Sequence, residues 1–87
     1  MPVHALFVGG VIDNTEIDLE EREPPLNYPP GTGSGQSRYR LHAVGRDWDQ
    51  PVYAVYGAPD LPTEEVLRVV DERAYARRFG AEAKAVE

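Results

Sequence analysis

Two imidazoles, His4 and His42, are the first side chains to weigh for chemistry, because histidine is the residue whose charge changes near neutral pH. Neither belongs to an HxH or HExxH pattern, and neither shares a helix with a carboxylate at ligand spacing. If the strands carrying them are neighbours, the two meet and Asp18 joins them as a weak metal or acid/base set; the plainer reading makes each a satisfied strand residue. Ser34 and Ser37 lie in or beside a glycine-rich segment, far from any strained nucleophile turn, so a hydrolase triad has no good candidate. The chain has no Cys, which removes disulfides, thiolate metal sites and thiol catalysis together. Carboxylates abound, but a small polar domain without a deep pocket gives them little reason to shift their acidity. The expectation is a non-enzymatic protein with no metal and no cofactor.

The residues suited to binding are easier to find. Asp13, Glu16, Asp18, Glu20, Glu21 and Glu23 form an acidic stretch that could capture a basic partner or imitate nucleic acid. The structural alternative pairs the row Glu16, Asp18 and Glu20 with Arg38, Arg40 and His42 on a neighbouring antiparallel strand, leaving Glu21 and Glu23 unpaired. Trp48 is flanked by Arg46, Asp47 and Asp49 in a turn-forming segment, where an exposed aromatic would be accessible to a partner; the alternative folds it back over Tyr53 or the helix as a lid. Arg73, Arg77 and Arg78, with Tyr75 and Phe79, offer a second candidate surface, or else extend the core around a helix end. The arm 24–30 is proline-rich and carries Tyr28, which suits either a polyproline ligand or a stiff arm draping Leu26 or Tyr28 on the sheet. The run 31–35 alternates glycine with Thr32 and Ser34 but joins no strand to a helix, so it reads as a linker and not a phosphate loop.

What must position these residues is one small domain, since 87 residues bury only about two-thirds of their unfolded surface. No apolar run reaches the ~18 residues of a membrane span, and the start lacks the positive charge of a secretory signal, so a soluble protein is expected. The formal charge of −6 disfavours direct nucleic-acid binding. It is uneven: residues 1–36 carry six acids and one base. The apolar run 3–8 predicts a strand with little exposure, and 15–20 and 38–44 alternate as half-buried strands. The segment 52–56, β-branched and aromatic, completes a hairpin with 38–44. Pro62, Thr63 as a capping hydroxyl, Glu64 and Glu65 start a helix whose stripe is Val66, Leu67, Val70 and Ala74, and Gly80 stops it. These elements predict an α+β fold, a four-stranded mainly antiparallel sheet with one C-terminal helix packed on it. The domain spans 1–80, with a Pro/Gly-rich loop at 21–37 and a frayed or weakly helical tail at 81–87.

The segment 6–14, Leu-Phe-Val-Gly-Gly-Val-Ile-Asp-Asn, with Tyr39-Arg40-Leu41 and Val52-Tyr53-Ala54-Val55-Tyr56, resembles a class of small uncharacterised bacteriophage proteins. These begin with a strand, a Gly-Gly-x-x-Asp-Gly-like turn and a second strand. The chain departs from the pattern at Asn14, where glycine is commoner, and at Val11, where proline is frequent. The resemblance covers about residues 5–56 and implies phage origin and a host-cytoplasm setting, but it transfers no functional residue. By analogy with anti-CRISPR inhibitors, it implies binding to and blocking a host protein or protein complex, as a monomer or homodimer. The partner-binding set on that reading is Asp13, Glu16, Asp18, Glu20, Glu21, Glu23, Tyr28, Trp48, Arg73 and Arg77. The alternative is a self-associating structural module.

Overall fold

A computed structural model describes residues 3–10, 13–20, 22–28 and 39–86. Among these residues, six strands and two helices follow in the order β1 (Val3–Val8), β2 (Glu16–Leu19), β3 (Asn27–Tyr28), β4 (Tyr39–Asp47), β5 (Gln50–Gly57), α1 (Thr63–Glu72), α2 (Tyr75–Phe79) and β6 (Ala83–Ala85). The fold is α+β, but the sheet is six-stranded and mixed, not four-stranded, in the order β2-β1-β5-β4-β3 with β6 also on β4. β1 and β5 run parallel at its centre, His4 opposite Tyr53 and Phe7 opposite Tyr56. Their sequences fit that place: both are apolar at odd and even positions, as strands covered on two faces must be.

One face carries Leu6, Val8, Tyr53 and Val55 against Val66, Val70 and Tyr75 of the helices. The other carries Val3, Ala5, Phe7, Leu41 and Tyr56, closed by the arm before β4, where Tyr28 packs on Phe7 and Tyr56. The Tyr56 hydroxyl donates to the Pro25 carbonyl at 2.7 Å and fixes that arm. Within the expected 21–37 loop, therefore, two residues form an edge strand, pairing Asn27 with Arg40 and Tyr28 with Tyr39. The glycine run and residues 29–38 lie outside the described residues.

β2 pairs with β1 and not with β4, so the expected row of Glu16, Asp18 and Glu20 beside Arg40 and His42 does not form. The turn 9–15 closes the β1–β2 hairpin locally: Phe7 N–H donates to Thr15 O and Asn14 N–H to Phe7 O, each at 2.9 Å, while Asp13 accepts from Gly9 N–H at 2.7 Å. A short closure costs less entropy than one across the Pro/Gly segment. The alternation expected in 38–44 is also broken. A bulge between Leu41 and Ala43 gives β4 one extra residue, His42, which turns inward beneath α1 and is fully buried.

The helix is two helices. Ala74 takes a left-handed φ of 56° and ends the first, and Gly80, at 67°, ends the second. Val66 and Val70 of the predicted stripe are buried, whereas Ala74 is the hinge between the helices. Thr63 does not cap: α1 has no side-chain cap at Pro62, and the Thr63 hydroxyl instead lies 2.9 Å from His42 Nδ1. The tail expected to fray or coil forms β6, pairing Ala83, Lys84 and Ala85 with Gly45, Val44 and Ala43. Open backbone on β4 outweighs the helix propensity of an alanine-rich segment with no apolar stripe.

Candidate functional site

The acids of β2 meet base and phenol from α2. Glu16 Oε1 lies 2.8 Å from His4 Nε2 and accepts from the Tyr75 hydroxyl, and Oε2 accepts from Arg73 at 3.4 Å. Arg78 stands 3.7 Å from Oε1, and Arg73 also donates to Asn14 Oδ1. The Tyr75 and His4 hydrogen bonds hold the Glu16 carboxyl below its ordinary value. Burial, and then the Glu16 carboxylate, push the Tyr75 phenol well up, so it stays a donor. His4 Nδ1 is 3.1 Å from Asp18 Oδ1. Both imidazole nitrogens thus face carboxylate oxygens, and both bonds form together only when both nitrogens carry protons.

His4 and Asp18 of this network line a cleft of about 680 Å³ together with Arg22, Asp47, Trp48, Gln50, Pro51, Val52 and Phe79. It opens where β1 and β5 begin, beside the end of α2. Its rim is the two-residue turn Trp48–Asp49, across which Asp47 pairs with Gln50. Trp48 is 93% exposed, so it is no lid over Tyr53 or the helix. Its φ of 60° falls at the first central position of the turn, where glycine is favoured and a bulky residue is strained. Next to it Arg46 forms a two-pronged bond to Glu23, at 3.2 Å and 3.0 Å, which holds the Glu23 carboxyl low and raises Arg46.

No protein-family model, no curated protein and no solved structure matches the chain.

The residues singled out in the sequence fall into three places. Asp18 and Trp48 line the cleft, with Glu23 behind the turn. Glu16 and Arg73 are committed to each other, Asp13 caps the β1–β2 turn, and Tyr28 is half-buried in the core. Glu20 and Arg77 are exposed and do not line the cleft, and Glu21 lies outside the described residues. Glu23 is paired with Arg46, contrary to the expectation that it stands free. The two histidines do not meet, because β5 separates β1 from β4. Among the described residues no cluster of three or more His, Asp or Glu side chains is arranged to hold a metal. Sequence reasoning missed Arg22, Gln50, Pro51 and Val52 as lining; only knowledge that β5 starts beside His4 would have found them.

Proposed function

We propose that the chain is a non-enzymatic binding domain that engages a partner protein at the end of the sheet where β2, the β4–β5 turn and α2 converge, with Trp48 as anchor. The observation that carries this reading is Trp48 itself. It buries almost nothing, yet it occupies a backbone position that costs a bulky residue of order 1–3 kcal/mol. A residue that weakens its turn and adds nothing to the core is accounted for by what it touches outside the chain, and tryptophan is prominent among residues that concentrate binding energy. The acids Asp18, Asp47 and Asp49 around it favour a basic face on the partner. Against catalysis stands the engagement of both imidazoles: His4 is held by two carboxylates, and His42 is buried under α1.

The phage-like start extends this reading to a host protein or complex, a defence component among them, blocked by occupation of a surface that normally holds nucleic acid or another protein. That extension rests on the resemblance of residues 5–56 and on nothing in the site. Affinity capture from bacterial lysate, comparing the wild type with Trp48→Gly, tests the binding face. The wild type should retain a discrete protein that is released by added salt. Trp48→Gly should lose it while unfolding at a higher denaturant concentration, by about 1 kcal/mol. Equal capture by both proteins, or capture by neither, overturns the reading.

A further inference from the structure

We propose that the cleft beside Trp48 receives an arginine side chain presented by an extended segment of the partner, a deepening that rests on the binding face assigned above. The cleft's volume, about 680 Å³, falls in the range that accommodates several side chains or a small ligand. Its walls divide by chemistry. Trp48, Phe79 and Val52 supply aromatic and aliphatic surface, and Asp18 and Asp47 supply carboxylates. The Asp18 side chain is 67% exposed and uses Oδ1 for His4, leaving Oδ2 without a hydrogen bond among the described residues. Asp47 forms no ion pair among those residues. Of the two bases lining the cleft, His4 is spent on Glu16 and Asp18, which leaves Arg22 to oppose the acids.

A cation with an apolar stem satisfies both walls, and an anion or a purely apolar ligand satisfies one at most. Arginine suits them better than lysine. Its planar guanidinium stacks on aromatic faces while its edge bonds a carboxylate with two prongs, whereas an ammonium has neither a flat face to stack nor a fork. The molecule's formal charge of −6 attracts a basic segment toward any of its faces, and this cleft is where stacking adds to charge.

The chain has one Trp, so its fluorescence reports this site alone. The probe is a capped pentapeptide of alternating glycine and arginine, compared with the same peptide carrying lysine or citrulline. Arginine should produce a saturable change in emission, lysine a roughly tenfold weaker one, and neutral citrulline none. Asp18→Asn, which keeps an oxygen for His4, should weaken the arginine peptide by roughly tenfold. Equal binding of citrulline, indifference to both Asp18→Asn and Asp47→Asn, or no saturable change overturns the assignment. If partner capture depends on Trp48 but the arginine peptide does not bind, the arginine assignment falls and the binding face stands. Capture indifferent to Trp48 removes both.

Discussion

His42 shows how a single residue changes meaning when one extra position enters a strand. In the alternation of 38–44 it belongs with Arg38 and Arg40 on a polar face; the bulge carries it inside, where it is fully buried. Its Nε2 donates to the Ala58 carbonyl at 3.3 Å and its Nδ1 accepts from Thr63, a pattern that fits the neutral ring. Burial pushes its pKa below the ordinary 6.5, with the nearby Arg40 acting in the same direction. The unfolded chain therefore binds a proton that the folded chain refuses. The stability tied to His42 is complete above pH 6.5 and is lost as pH falls from there through the folded value. His42→Gln keeps a donor and an acceptor without titrating. In urea unfolding over a pH series, the wild type should lose stability relative to His42→Gln on going from pH 7 toward pH 5; parallel curves would refute the account. Nothing in the sequence announces the bulge, and the turn-forming neighbours of Trp48 leave its exposure and a fold back over Tyr53 or the helix equally open.

At the scale of elements, the charge pattern of β2 was legible and its partner was not. The alternation of Glu16, Asp18 and Glu20 with Ile17 and Leu19 does mark a strand with one polar face, but the cations that answer it come from the helical segment. Arg73 reaches it from the C-cap of α1, and Arg78 because the left-handed Ala74 turns α2 toward β1 and β2. A pattern of residues along one strand shows which face is polar, and pairing is decided by loop closure elsewhere in the chain. Glu16→Gln should cost about 1 kcal/mol in denaturant unfolding, since an amide keeps a hydrogen bond but not the charge shared by His4, Arg73 and Arg78. The wild type's excess stability over this variant should fade as pH drops below 4.5, because the Glu16 carboxyl is held lower in the folded state. An excess that persisted in acid would deny the charge its role. The same acids bear on self-association. β2 is the edge of the sheet opposite the covered β4, and two copies pairing there would bring Glu16 and Asp18 rows together.

Across the whole molecule, both flanks of β4 are occupied: β5 on one side, and β3 and β6 in succession on the other. Side chains reinforce this arrangement. Tyr53 lies over Gly45, where an added Cβ would stand 2.1 Å from its ring, and its hydroxyl donates to Ala81 O at 2.7 Å just ahead of β6. The role of Gly45 appears only once β5 lays an aromatic across it. A coarse α+β class was legible because strand and helix periodicities differ, while the count and order of strands depended on short segments such as Asn27–Tyr28 and Ala83–Ala85, too brief to show any period.

The parallel pair β1 and β5 also dictates an order of events. To place His4 beside Tyr53 the chain must close a loop of about 49 residues, whereas β4 and β5 meet across two. The β4–β5 hairpin is thus the natural nucleus, and the docking of β1 onto β5 is a late event. Val55→Ala should slow refolding in proportion to the stability it removes, while Val3→Ala should act mainly on the unfolding rate. Until residue 57 has been made, β1 has only the acidic β2 beside it, and its flank toward β5 lies open to other chains in the same state.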